Sequence, residues 1–226
     1  TTNIAGATRP DLNTVRVNAA SVTGGLVLET LGGTDSVTII NPITLTGALQ
    51  LNGVDNFNVN SGTLNMSSNA IIWVDLVNAI NVNGGTVSNI GSVIKNGGVN
   101  SIYLNSNTFG ATTTNITTDY LFINATSSGT ADVTYTRSGG TLNVLQNLQL
   151  GGKADAEPDN GFGNLTQSGG TINVGGDFLF GGAAGTEGGT FRFQGGTLNV
   201  TGNVIEGGSG NPQANVDTAQ FHVEAL

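Results

Sequence analysis

Apolar and polar side chains alternate in short segments along much of this chain. The clearest segments are Thr-Leu-Asn-Val at 141–144 and 197–200, and Thr-Ile-Asn-Val at 171–174. Alternation with a period of two is typical of a β-strand that buries one face, because successive side chains point to opposite sides of the strand. The apolar residues predicted to line the interior in stacked columns are Leu142, Val144, Ile172, Val174, Leu198 and Val200.

These segments belong to a unit that occurs three times, at 138–152, 168–182 and 194–208. Each copy has Gly-Gly-Thr near its start and Gly-Gly at its end, with Asn or Asp between two apolar runs. Glycine adopts a positive φ without a steric penalty, and Asn and Asp tolerate it better than most residues, so we predict corners there. The unit is therefore predicted to contain three short strands separated by turns.

A unit of this kind cannot bury its apolar face alone and must stack on the next one. The sequence therefore predicts an all-β fold, a single parallel β-helix (β-solenoid) domain over 1–226, with its strongest repeats at 134–208. The Gly-Thr segments place threonines at 63, 86, 141, 171 and 197. The interval of 55 residues between the threonines at 86 and 141 indicates two coils, with the missing corner near 105–110. We expect roughly eight or nine coils of three short strands each, wound with a right hand.

Two less regular segments fit the same scheme. The apolar segment 70–82 is rich in β-branched residues and is interrupted by Asp and Asn, so we predict two strands there instead of a helix. Trp73 is then interpreted as a filler of the coil and not as a platform for sugars. We expect the first strand at 15–17, after a more polar start.

Composition narrows the classes of function. The net charge is −9 and there are only six Lys and Arg, so we expect no nucleic-acid partner and no attraction to an anionic membrane. No apolar run reaches the length of a membrane span, so we expect no membrane insertion by this segment. The absence of cysteine excludes disulfides and thiolate metal sites, and it is compatible with an exported protein.

The segment 153–161 lies between two strong repeats and is predicted to loop outward. It contains a local group of oxygen ligands that would suit Ca²⁺, namely Asp155, Glu157, Asp159 and Asn160. The spacing lacks the EF-hand pattern with its closing Glu, and the calcium-binding nonapeptide of β-rolls is absent. We therefore favour a solvated loop that tolerates shortening, and we expect no cofactor.

Candidate catalytic groups are scattered along the chain. Acidic residues stand singly in or beside predicted strands, and Asp177 occupies a position that Asn fills in the other two copies, which favours a role at a corner. The one histidine, His222, lies in an alternating segment that predicts a strand. Since hydrolysis or elimination on a polysaccharide requires paired carboxylates or a base on one face of the coils, we predict that the chain is not an enzyme.

The strong repeats at 136–144, 166–177 and 193–200 resemble those of bacterial exported proteins of the autotransporter-passenger-like and PEP-CTERM-type repeat family. The resemblance covers 134–208 and concerns corners and strands. The Pro-Glu-Pro sorting signal and the autotransporter barrel of such proteins are not in this sequence. The resemblance implies an extracellular or cell-surface location and a non-catalytic structural or adhesive role.

An alternative function remains open, that of a carbohydrate-binding or carbohydrate-active β-helix similar to polysaccharide lyases and hydrolases. The expected partners are surface polysaccharides or other surface proteins. A stack of coils also presents an unpaired strand at each end, and such edges pair with other chains unless they are covered. We therefore expect that the chain is either a fragment of a longer solenoid or self-associates end to end, with the segment 219–225 as the more adhesive edge.

Overall fold

The computed structural model describes residues 2–5, 14–17, 21–29, 34–105, 109–124, 132–151, 162–181, 189–206 and 219–223. The fold is all-β, and its parallel sheets form a β-solenoid of about seven turns with three strands per coil. The predicted parallel β-solenoid is therefore confirmed. Eight or nine coils were expected, and stacked strands are offset by between 20 residues, as from Ser36 to Asn56, and 30 residues, as from Thr141 to Thr171.

The chain divides into two compact units, the first comprising 1–102 and 108–118 and the second comprising 103–107 and 119–226. The strands of the first unit are β1 (Thr2–Ala5), β2 (Thr14–Val17), β3 (Ser21–Val22), β4 (Leu26–Glu29), β5 (Ser36–Ile39), β6 (Ile43–Leu45), β7 (Leu49–Asn52), β8 (Asn56–Val59), β9 (Thr63–Asn65), β10 (Ala70–Trp73), β11 (Val77–Val82), β12 (Thr86–Ser88), β13 (Ser92–Lys95), β14 (Val99–Leu104) and β15 (Asn115–Thr118). The last two residues of β14 belong to the second unit.

Successive strands of the first unit join three different sheets in rotation. One sheet has the order β1-β4-β7-β10-β13-β15, a second has β2-β5-β8-β11-β14, and the third has β3-β6-β9-β12. A parallel bridge from Val87 to Phe109 continues the third sheet by one position. Phe109 thus pairs within the segment 105–110, where the sequence placed an additional corner.

The second unit is built from longer strands. They are β16 (Tyr120–Ile123), β17 (Val133–Val144), β18 (Leu148–Leu150), β19 (Gly163–Val174), β20 (Phe178–Phe180), β21 (Gly189–Phe193), β22 (Thr197–Val200), β23 (Val204–Glu206) and β24 (Ala219–Val223). One sheet has the order β17-β19-β21-β24, with β22 also paired to β19, and the other has β16-β18-β20-β23.

The Gly-Gly pairs of the second unit act differently in successive coils. In β17 and β19 the predicted turn is an irregularity inside one 12-residue strand, with shifts of register between Arg137 and Thr141. In the next coil the same position separates β21 from β22. The second glycine of each pair has a positive φ, at Gly140 (65°), Gly170 (73°) and Gly196 (97°). The glycine conformation is therefore retained whether or not the ladder of hydrogen bonds is interrupted.

Burial follows the predicted alternation in the two fully stacked repeats. Leu142, Val144, Ile172 and Val174 are buried, while the Thr and Asn residues between them are half-exposed. Leu198 and Val200 were also predicted to be interior, but both are half-exposed. The reason is that β22 pairs with β19 alone among the described strands, so its inner face is covered from one side.

The two less regular segments are also strands. The segment 70–82 contains β10 and β11, and Trp73 is fully buried, as predicted. Strand β2 includes the expected strand at 15–17, but β1 precedes it and pairs with β4. The polar start of the chain therefore already contributes a strand, because ladder bonds to the next coil use the backbone and do not require apolar side chains.

Candidate functional site

A column of asparagines runs across three neighbouring strands of the second unit. Asn143, Asn173 and Asn199 occupy the same register position in β17, β19 and β22. The Nδ2 of Asn199 donates to the Oδ1 of Asn173 at 2.8 Å, and the Nδ2 of Asn173 donates to the Oδ1 of Asn143 at 2.8 Å. We call these three residues the Asn ladder.

The Asn ladder follows directly from the repeat. Each asparagine stands between two inward-facing apolar residues and therefore points outward. Parallel strands lie about 4.7–4.9 Å apart, a spacing at which one side-chain amide reaches the carbonyl of the next. Identical residues at identical positions thus form a continuous hydrogen-bonded row along the stack.

A groove of about 190 Å³ lies beside the Asn ladder. Its lining also includes Leu145, Gly175 and Thr201, which follow one another in consecutive coils, since Gly175 N donates to Val144 O and Thr201 N donates to Val174 O. We call these three residues the second wall of the groove. The side chain of Leu145 is 42% exposed. Gly175 has no side chain to fill the middle of the groove.

The groove has no ionisable group in its lining, which is completed by Val144 and Val174. It also offers hydrogen-bonding capacity beyond the Asn ladder. An asparagine amide has two N–H donors, and within the described part of the chain Asn173 uses its Nδ2 only toward Asn143. The Oδ1 of Asn199, at the outer end of the ladder, accepts no hydrogen bond from any described residue. Sequence reasoning missed this site, although the repeated Thr-Leu-Asn-Val was its signal.

The calcium ligands suggested by the sequence, Asp155, Glu157, Asp159 and Asn160, lie outside the described residues, as does the whole loop 153–161. Where the structure does describe the chain, no group of three or more His, Cys, Asp or Glu side chains is arranged to hold a metal ion.

Asp177 has the corner role that the sequence favoured. Its N donates to the Oδ1 of Asn147 at 2.9 Å, and its own Oδ1 accepts from the N of Asn203 at 2.8 Å. The side chains of Asn147 and Asp177 thus each bind the backbone of the coil that follows. Asp75 binds within its own coil instead, since its Oδ1 accepts from the neighbouring Leu76 N at 2.8 Å. These two carboxylates are therefore parts of the corners.

A buried polar pair lies inside the second unit and was also missed by sequence reasoning. Arg137 and Tyr135 lie on the buried face of β17, and Arg137 is 1% exposed. Its Nη2 donates to Gly139 O at 3.0 Å and its Nη1 donates to the Tyr135 hydroxyl at 3.4 Å. Burial raises the pKa of Tyr135, and the charge of Arg137 opposes this rise in part. Since both side chains are buried, the pair is a feature of the core and not a ligand site.

An aromatic cluster on the second unit is likewise structural. The rings of Tyr103 and Phe122 lie 4.7 Å apart at an interplanar angle of 9°, and Tyr120 is next to Phe122 at 6.1 Å. In a face-to-face stack, each ring covers one flat face of its neighbour. These contacts join side chains of β14 and β16, which are neighbouring strands of one sheet.

His222 lies in strand β24, in register with Arg192 of β21, which agrees with the strand expected from its alternating segment. No helix among the described residues is long and apolar enough to span a membrane. Comparison with known proteins gave no match, since no protein-family model, curated protein or solved structure matches the chain.

Proposed function

We propose that this chain is a non-catalytic structural and adhesive module, displayed at the bacterial cell surface or secreted. The observation that carries the proposal is the repetition of the same outward groups at the same position in three coils. Thr141, Thr171 and Thr197 form one column in register, and the Asn ladder forms the next. Weak contacts repeated at a fixed spacing add up when the ligand is itself repetitive, and this is the arrangement that adhesion requires.

The construction of the solenoid supports a structural role. Apolar columns fill the interior, and side chains at the corners bind the backbone of the neighbouring coil, as Asp177 and Asn147 do. Solenoid stability is approximately a sum of unit and neighbour terms, so such a module is suited to hold a binding surface away from the cell. The likeness of the Gly-Gly-Thr-Leu-Asn-Val units to exported repeat proteins supports the location.

The location is tested with a tagged chain in its native host. We expect the tag to be accessible to antibody on intact cells or to be found in the medium, and a deletion strain to attach less well to surfaces. A tag that is found only inside intact cells, together with unchanged attachment of the deletion strain, would contradict the proposal.

The carbohydrate-binding alternative is favoured by one observation, the uncharged groove beside the Asn ladder. The carbohydrate-active form of that alternative makes a separate prediction, because an active lyase or hydrolase releases products. Incubation of the protein with pectic, xylan and glucan substrates is expected to yield no new reducing ends and no unsaturated uronates. The appearance of either product would assign an enzyme.

A further inference from the structure

We propose that the groove between the Asn ladder and the wall of Leu145, Gly175 and Thr201 binds a neutral, extended polysaccharide. This inference rests on the proposed adhesive function and names its ligand class. The groove lies within the second unit, and its lining residues come from three consecutive coils.

Charge selects a neutral ligand. None of the residues that line the groove is ionisable, so no cation is present to neutralise a uronate, sulfate or phosphate brought into it. The chain as a whole carries a net charge of −9, which repels polyanions at moderate ionic strength. An anionic polysaccharide would therefore lose solvation on entering without gaining an opposite charge.

The arrangement of the lining selects an extended chain of repeating units. The same asparagine recurs once per coil, at the strand spacing of about 4.8 Å, which is close to the length of one sugar residue along an extended glycan. Neighbouring sugars of such a chain can each face one amide.

The two walls match the two kinds of surface of a sugar. The unused N–H of Asn173 and the carbonyl of Asn199 offer a donor and an acceptor to hydroxyl groups. In the same groove, the exposed side chain of Leu145 offers an apolar contact to the C–H face of the ring, and Gly175 adds no side chain. Polar groups that fix orientation beside an apolar contact are the usual composition of a binding site for a small ligand.

The test is native affinity electrophoresis of the full chain in gels that contain hydroxyethylcellulose, xylan or mannan as neutral polysaccharides. Carboxymethylcellulose is the matched polyanion, because it has the same glucan backbone with added carboxylates. We expect at least one neutral polymer to retard the protein, and carboxymethylcellulose to retard it at least tenfold less at equal concentration.

Two pairs of variants locate the binding. Leu145→Glu places a charge in the groove and is expected to weaken binding at least tenfold, whereas Leu76→Glu, at a leucine that is 50% exposed in the first unit, leaves it unchanged. Asn173→Ala removes an amide of the groove and is expected to weaken binding. Its control, Asn81→Ala, removes an amide that donates to Asn58 in the first unit and leaves binding unchanged. If Asn173→Ala does not fold, the exposed Leu145 variant still decides the question.

Three results would overturn the inference, namely no retardation by any of the neutral polymers, stronger retardation by carboxymethylcellulose, or equal binding by Leu145→Glu and the parent. If the protein is nevertheless found at the cell surface and its deletion still reduces attachment, the proposed function stands and only this ligand is rejected. If the protein is found only inside cells but binds a neutral polymer through Leu145, the proposed function is rejected and the binding groove stands.

Discussion

Asn78 is buried at a corner of the first unit and forms three hydrogen bonds there. Its Oδ1 accepts from Val54 N at 2.9 Å, and its Nδ2 donates to Asp75 O at 2.7 Å and to the Oδ1 of Asn100 at 3.2 Å. By contrast, Asn83 is exposed, and its Nδ2 donates to the Oδ1 of Asn60 at 2.8 Å in an exposed hydrogen bond. Asn78 near the start of β11 and Asn83 directly after its end thus differ in burial, and we expect them to differ in how much stability depends on them.

Asn78→Ala is therefore expected to lower the free energy of unfolding by about 2–3 kcal/mol, because it removes the acceptor of the buried Val54 N–H and a donor to the buried Oδ1 of Asn100. Asn83→Ala, the matched control, is expected to cost less than about 1 kcal/mol, since water replaces its bond. Urea unfolding of both variants measures the difference. Equal losses of unfolding free energy in the two variants would show that burial does not determine how much these amides stabilise the fold.

Tyr135 predicts a loss of stability at alkaline pH. Its pKa is raised because burial disfavours the phenolate, while Arg137 opposes the rise. A raised pKa means that the stabilisation is fully present below the unfolded value of about 10 and is lost as pH rises through the folded value. We expect Tyr135→Phe to reduce the fall of the melting temperature above pH 10.

The control for this experiment is Tyr120→Phe, because that variant keeps the Tyr135 phenol and the half-buried Tyr120 lies on the other face of its strand from the core. It should show the same alkaline fall as the parent. An identical pH profile for the parent and Tyr135→Phe would contradict the assignment.

At the scale of the strand, the Gly-Gly corner of β19 depends on the absence of a side chain. Gly170 has a φ of 73°, and a Cβ there would lie 2.5 Å from Gly139 C and from Gly140 O. Both atoms are backbone and cannot move aside without shifting the neighbouring coil. The corner is thus restricted by its φ and by the close approach of β17.

Gly170→Ala is expected to cost about 3 kcal/mol or more, since the left-handed conformation alone costs about 1–2 kcal/mol for a residue with a Cβ. Gln146→Ala, at an exposed turn residue of the same unit, is the control and should change stability by less than about 0.5 kcal/mol. Thermal and urea unfolding test the pair. A Gly170→Ala variant as stable as the control would mean that the corner adapts.

At the scale of the whole molecule, the coils form two compact units, and coils of a solenoid are stabilised mainly by their neighbours. Ile172 is fully buried in β19, so Ile172→Asp is expected to cost several kcal/mol by burying an unpaired charge. The damage should be local. Hydrogen exchange is expected to accelerate in β17–β20 more than in β5–β8 of the first unit.

Leu198→Asp is the control, because Leu198 stands in register with Ile172 but is half-exposed. It should cost clearly less than Ile172→Asp and accelerate exchange mainly in β22. Uniform acceleration over both units by Ile172→Asp would show that the solenoid opens as one cooperative body.

End-to-end association stays a prediction. Strand β24 pairs with β21, and no second partner for it is found among the described strands. We expect light scattering to show a mass that rises with concentration and falls when Pro replaces Phe221 or Val223. A monomer at all concentrations would contradict it.

The sequence by itself determined the strand period, the glycine corners and the interior columns, because these depend on neighbours along the chain. Alternation predicted the burial of Ile172 and Val174, and the Gly-Gly pairs predicted the positive φ of Gly170. The corner role of Asp177 was also readable, since Asn fills its position in the other repeats.

The tertiary structure alone decided what depends on residues 20 to 30 positions apart. Alternation places Gln149 outside, yet it is buried, with its Nε2 donating to Gly151 O. Leu198 follows the same pattern as Leu142 but is half-exposed, because its strand is covered from one side. The groove depends in the same way on the stacking of Asn143, Asn173 and Asn199. Local pattern sets which face a side chain takes, whereas the neighbouring coil sets whether that face is covered.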